Sequence, residues 1–182
     1  PMTGRMGVIA DTHGDIEAWK SATRIWGPVD LVVHAGDVLK GWKSRPLPWR
    51  GGKKALAEIL NASKTPILIT RGNCDEEEDE SLLKWPVAEP FLFLWWQGRL
   101  ILAGHGTDFS EIREKGLACA ADLVITGHTH VGSLVREGKT IFLNPGSASL
   151  PMGRDPASVA LLDGEGIRLL TLGNDLLHFE PW

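Results

Sequence analysis

The sequence predicts an α/β protein built of two packed β-sheets with helices on the outside. Three observations point there. Three apolar strand-like runs alternate with two helix-period segments before residue 71, and the second half is strand-rich. Five of the apolar runs end in a short turn carrying glycine together with Asp, Asn or His.

Gly7 to Ala10 reads as the first strand and leads into Asp11-Thr12-His13-Gly14-Asp15. Ile16, Trp19, Thr23 and Trp26 then recur at near-helical spacing, with Asp15 as N-cap and Gly27-Pro28 as the stop. Leu31 to Val33 begins the next strand, so strand, helix and strand over short connections form a right-handed parallel crossover. Residues 41–52, rich in Gly, Pro, Trp and basic side chains, have no period and read as a loop. A second helix comes next, with Ala55, Leu56, Ile59 and Leu60 on one side, and then the strand Ile67 to Thr70. The acidic run Asp75 to Glu80 continues into Leu82, Leu83 and Trp85 as a short helix stopped by Pro86, its carboxylates solvated and suited to a helix start. Phe91 to Trp96, Gln97-Gly98 and Arg99 to Ala103 read as a hairpin with a two-residue turn. Ser110 to Ala121 reads as helix and Leu123 to Thr126 as a buried strand. Beyond His130 the strands are Ser133 to Glu137, Thr140 to Leu143, Ser158 to Leu162 and Ile167 to Leu172, separated by turns at 137–139 and 163–166. With no repeat and no low-complexity linker, residues 1–182 are expected to form a single domain.

A chain of 182 residues with 43% hydrophobic content can bury one substantial core. A net charge of -4 gives no general attraction to polynucleotides or anionic membranes, so an anionic substrate must be drawn in locally, by metal or by a few arginines. No stable nucleic-acid partner and no membrane association are expected. The two cysteines, Cys74 and Cys119, form no C-x-x-C, which is the usage of a reducing compartment. No run of about 18 apolar residues occurs, and Pro1 to Met6 lacks a charged start leading into an apolar stretch, so a cytoplasmic location is expected. The eight Trp read as core or rim.

The chemistry is concentrated at Gly127-His128-Thr129-His130, directly after the run Asp122 to Thr126. In an extended segment two imidazoles two residues apart point to the same side and can reach one centre. Compatible groups end four other apolar runs: Asp11 and His13, Asp37 after Gly36, Asn73 after Gly72, and His105 after Gly104. In open α/β sheets ligands bind beyond the carboxyl ends of strands, so these side chains should meet in one cleft. Seven oxygen and nitrogen donors are too many for one tetrahedral ion and suit two ions sharing a bridging carboxylate. The absence of thiolate among them favours manganese, iron or zinc. A metal pair activates water and clamps the oxygens of an in-line displacement at phosphorus. A positioned general base contributes about a hundred- to ten-thousandfold, whereas metal lowers the pKa of water from about 16 to about 7. Phosphate esters are among the most inert of substrates, so metal hydroxide is the expected nucleophile.

Asp11-x-His13, Gly36-Asp37, Gly72-Asn73, Gly104-His105 and Gly127-His128-Thr129-His130 resemble, in order, the five motifs of the calcineurin-like metallophosphoesterases. Arg71-Gly72-Asn73-Cys74-Asp75 and Asn144-Pro145-Gly146-Ser147 make the chain look like the YfcE-type small bacterial phosphodiesterases within that superfamily. The resemblance implies a sandwich of two mixed sheets flanked by helices and hydrolysis of small phosphodiesters. It implies that Asp11, His13, Asp37 and His130 hold one metal, that Asp37, Asn73, His105 and His128 hold the other, and that Asp37 bridges. It also implies two divalent ions, with manganese first in assays and Fe, Zn, Ni or Co as alternatives, and a homodimer or higher homo-oligomer. His105, Asn73 and Cys74 are then the residues beside the reacting group. Many relatives carry His where this chain has Cys74, and a thiol of pKa near 8.5 is a poorer proton donor than imidazolium. Cys74 either takes part in leaving-group protonation or fills the cleft wall.

Arg71 could meet a phosphate oxygen or pair with the acidic run. Arg45 and Arg50 could hold phosphate while Trp42 or Trp49 stacks on a base or an aromatic leaving group. The alternative for that loop is packing on its own protein or on a second subunit. His34 could support a ligand from behind or sit satisfied under the sheet. Phosphomonoesterase or nuclease activity on the same site, and a non-catalytic binding scaffold on the same fold, are the rival readings.

Overall fold

The computed structural model describes residues 3–41 and 52–182. Its first half is β1 (Met6–Ile9), α1 (Ile16–Trp26), β2 (Leu31–His34), α2 (Lys53–Ala62), β3 (Ile67–Thr70), α3 (Glu77–Glu80) and β4 (Val87–Ala88). Next come β5 (Leu92–Trp96), β6 (Arg99–Ala103), α4 (Phe109–Ala118) and β7 (Leu123–Ile125). The last part is all strand: β8 (Gly132–Glu137), β9 (Thr140–Pro145), β10 (Ser158–Leu162), β11 (Gly166–Thr171) and β12 (Leu176–Pro181). A seven-stranded sheet in the order β12-β11-β10-β1-β2-β3-β4 packs on a five-stranded sheet in the order β5-β6-β7-β9-β8. Both are mixed, with β1 to β4 parallel in the first and β6, β7 and β9 parallel in the second.

Alternation along the strands decides which side chain enters which layer. Val8 and Val33 of the first sheet meet Ile101, Leu123, Ile125 and Leu143 of the second in the core between the sheets. Their neighbours Ile9 and Val32 point the other way, onto Trp19, Trp26, Leu56 and Leu60 of α1 and α2. The outer face of the second sheet buries Leu102, Val124 and Phe142 under Ile112 of α4. Because the central strands run parallel, the carboxyl ends of β1, β2 and β3 emerge at the same rim of the sandwich as those of β6 and β7.

The hairpin turn Gln97-Gly98 has φ of 49° and 77°, the pair of positive values a two-residue turn between twisted strands requires. Three expectations need correction. The acidic helix runs only from Glu77 to Glu80. The residues after Glu80 are tied to α2 instead: Asn61 donates to the Leu82 carbonyl and accepts from the Lys84 amide, and the Trp85 indole donates to the Leu60 carbonyl at 2.9 Å. Nor is the run wholly solvated, since Asp79 is buried against Lys53 at 2.7 Å. The helix expected to reach Ala121 stops at Ala118, where Ala120 turns to a φ of 53° and the Ala121 amide closes onto the Gly116 carbonyl at 2.9 Å. The short β4 and the edge strand β12 are additional.

Candidate active site

The rim at which these strands end gathers the seven polar residues. Asp11 and His13 lie just past β1, Asp37 past β2 and Asn73 past β3, while His105 lies past β6 and His128 and His130 past β7. The approach of the loops is close. A Cβ on Gly72 would lie 2.1 Å from Asp37 Oδ1, so only glycine lets the third loop pass over the second.

Asp11, His13, Asp37 and His130 are all buried, and one ligand atom from each lies within 4.8 Å of every other. The hydrogen bonds behind them fix the tautomers. His13 Nδ1 donates to the Lys40 carbonyl at 2.8 Å and His130 Nδ1 to the Leu150 carbonyl at 2.7 Å. Each ring therefore turns its Nε2 inward, and the two Nε2 atoms stand 3.3 Å apart. Asp11 Oδ1, 3.3 Å from His130 Nε2, is buried and makes no hydrogen bond. Two inward imidazole nitrogens beside buried carboxylate oxygens are the donor types that gather around a cation. The donor set fits a divalent metal.

A second group adjoins the first. His105 Nδ1 donates to the Ala35 carbonyl at 2.7 Å, and its Nε2 faces Asn73 Oδ1 at 3.0 Å and Asp37 Oδ2 at 3.5 Å. His128 Nδ1 reaches the same Asn73 oxygen at 2.8 Å. Asp37 Oδ2 is also 3.8 Å from His13 Nε2, so this carboxylate stands between the two groups. Burial opposes the Asp37 charge, but the adjoining His105 and the Cys74 amide hold its carboxyl well below the usual carboxylate range. Burial likewise opposes charge on His105 and His130, and the carboxylates Asp37 and Asp11 outweigh it, moving both imidazoles upward. His128 moves down through burial and the nearby His105.

The expected extended course of Gly127-His128-Thr129-His130 is not what forms. His128 and His130 adopt φ of 69° and 58°, and the loop sends them apart: His130 to Asp11 and His13, His128 to Asn73 and His105. His34 lies fully buried behind the site; its Nε2 donates to Thr12 Oγ1 at 2.9 Å, while that hydroxyl donates to the Val38 carbonyl at 2.8 Å. Burial pushes the His34 imidazole down to about 3, so the ring is neutral. Cys74 Sγ is 3.5 Å from Asn73 Nδ2, and burial and the Asp37 carboxylate push its thiol up to about 12. Arg71 pairs with Glu80 at 3.1 Å and Glu89 at 3.0 Å. Trp42, Arg45, Trp49 and Arg50 lie outside the described residues.

Residue types alone did not single out the side chains that hold the loops together. The Asp75 carboxylate accepts from the amides of Asp37 at 2.9 Å, Val38 at 2.8 Å and Gly72 at 2.9 Å, clamping the second loop to the third. Asn144 donates to the Gly127 carbonyl at 2.7 Å, and the hydroxyls of Ser147 and Ser149 both donate to the Asp11 carbonyl at 2.8 Å. Beside Asn73 and His105 opens a cleft of about 530 Å³, walled by Arg71, Phe91, Thr107 and Glu111 among others.

A model of the calcineurin-like phosphoesterase superfamily domain matches residues 5–166. Phosphodiesterase YfcE of Escherichia coli K12 is 29% identical over 167 residues, covering 91% of this chain and 90% of that protein. The solved structure of that E. coli phosphoesterase superposes with a TM-score of 0.84 at 25% identity, over 97% of this chain and 98% of the other. Vacuolar Protein Sorting 29 from Cryptosporidium parvum has a TM-score of 0.66 at 19% identity, over 93% of this chain and 90% of its own, a likeness of fold.

Proposed function

The chain belongs to the calcineurin-like phosphoesterase superfamily, and from that premise we propose that it is a dinuclear-metal phosphodiesterase acting on small phosphodiesters. The observation that carries this reading is the buried set Asp11, His13, Asp37 and His130, with ligand atoms within 4.8 Å of one another. That set would hold one cation, and Asp37, Asn73, His105 and His128 the other. Such a pair supplies Lewis acidity and an activated water for in-line displacement at phosphorus. Manganese is the first metal to test, with Fe, Zn, Ni or Co as alternatives.

The chain's own part is orientation and charge. The carbonyls of Lys40, Ala35 and Leu150 fix three imidazoles with Nε2 inward. His105 and Asn73 border the cleft and would flank the reacting ester. Cys74, with its thiol held near 12, stays protonated and is a slow proton donor to a departing alkoxide. Esters whose leaving group needs no proton, such as aryl diesters, should therefore turn over best. A non-catalytic scaffold is disfavoured by a site in which every donor position is filled. A cytoplasmic enzyme is in keeping with two free cysteines, and among the described residues no helix is long and apolar enough to cross a membrane. Self-association into a dimer or higher oligomer is in keeping with Trp95, 70% exposed, and Phe93, 55% exposed, on the sheet-edge strand β5.

The test is hydrolysis of an aryl diester, an aryl monoester and single-stranded DNA in manganese, with wild type and Asp37→Asn. The diester should be preferred, and the variant should lose about a thousandfold or more in kcat together with bound metal. Undiminished turnover in Asp37→Asn would overturn the reading, and a monoester or DNA preference would replace the substrate assignment.

A further inference from the structure

The cleft beside Asn73 and His105 has a charge pattern that bears on which diesters it accepts. Its described lining holds one cationic side chain, Arg71, and that guanidinium is already engaged by Glu80 and Glu89. Beyond the Arg71–Glu89 pair, Asp108 and Glu111 also line it, so carboxylates outnumber the guanidinium. Phe91, half-buried, supplies an apolar wall, backed by the fully buried Ile112 of the cluster it packs on. A volume of about 530 Å³ is more than a phosphoryl group needs and is in the range of a small-ligand site. A phenyl ring among carboxylates is a setting that receives ammonium groups, through apolar contact with their methyl or methylene groups and opposite charge together. Asp108 and Glu111 disfavour a second phosphate on that arm of the substrate.

Resting on the phosphodiesterase reading, we propose that this cleft seats one ester arm of the substrate and prefers an arm bearing an amine or quaternary ammonium over an arm bearing a further anionic group. Glu111, exposed in the first turn of α4 and outside the ligand sets, is the specificity residue to vary. Because the carboxylates are solvent-facing, each contributes modestly and the preference weakens with salt.

Three diesters sharing a 4-nitrophenyl leaving group separate the arm from the chemistry: the choline ester, its uncharged 3,3-dimethylbutyl isostere and a 2-carboxyethyl ester, each assayed with manganese. The choline ester should exceed the isostere in kcat/KM by about three- to tenfold, mainly through KM, with the carboxyethyl ester lowest. Raised salt should compress the ranking, Glu111→Gln should reduce it and Glu111→Lys should abolish it, with circular dichroism and bound manganese as the checks that each variant is folded. Equal rates for the three arms, or a ranking that survives Glu111→Lys, would overturn the proposal. Turnover of the uncharged isostere reports on the phosphodiesterase reading by itself, so the two can fail separately.

Discussion

Asp11, His13, Asp37, His128 and His130 hold φ of 52°, 47°, 55°, 69° and 58°, so five of the seven proposed ligands occupy the left-handed region. For a residue with a Cβ this costs about 1–2 kcal/mol each, strain of the kind that collects at functional sites and is held by surrounding structure. Replacing His128 with alanine removes the imidazole and keeps the strain, whereas glycine removes both. Glycine also adds about 0.5–1 kcal/mol of unfolded-chain entropy, which the relieved strain outweighs. In chelator, His128→Gly should therefore be more stable than His128→Ala by about 0.5–1 kcal/mol in urea unfolding, with both equally poor in metal; an alanine variant of equal or greater stability would refute the strain. The Asp75 clamp makes a second prediction. Asp75→Ala strands three amides, and should lower stability by about 3 kcal/mol and weaken the metal at Asp37 and Asn73 by about 10- to 100-fold in calorimetric titration. Asp75→Asn, which keeps one acceptor, should fall between. The ligand types themselves were legible because imidazoles and carboxylates at strand ends are uncommon without a purpose. The clamps were not, because a carboxylate or hydroxyl bonded to backbone amides or carbonyls leaves no pattern in residue type.

Among the elements, the buried β-branched runs read well from sequence: Ile67 to Thr70 and Ser158 to Leu162 have the boundaries expected of them. The hairpin at Gln97-Gly98 did too, since its turn chemistry is local. Strand β12, Leu176–Pro181, was missed: most of its residues are exposed and no period-2 alternation marks it. It forms because β11 offers an open edge, a tertiary circumstance. The acidic segment failed for a similar reason, as α2 captures the residues that would have extended α3. Helix α4 offers a test of local against tertiary preference. Gly116 lies in its interior, where alanine would gain about 1 kcal/mol of helix propensity. A Cβ there would sit 2.4 Å from Val124 Cγ2 in β7, a stiff side chain that cannot swing aside. Overpacking of this kind costs about 1–3 kcal/mol, so Gly116→Ala should lower the melting temperature despite the better helix former. A rise would show that α4 can lift from the sheet without loss.

At the scale of the whole molecule, neither sheet owns the candidate centre. Asp11, His13, Asp37 and Asn73 project from the seven-stranded sheet, and His105, His128 and His130 from the five-stranded one. The far margin of the sandwich is fastened differently, where Arg136 of β8 reaches Glu180 of β12 at 2.6 Å. Between these margins the contact is chiefly the hydrophobic core, which has little direction, so polar ties such as those at the rim help set how the layers register. The donors span from residue 11 to residue 130, separations that a folding chain closes late. A cation gripping both layers would act as a clasp fitted after assembly, absent when the barrier to folding is crossed. Manganese should accordingly leave the refolding rate untouched and slow unfolding by nearly the whole of its effect on stability. In the cell such a clasp would lengthen the life of the loaded protein without hastening its birth.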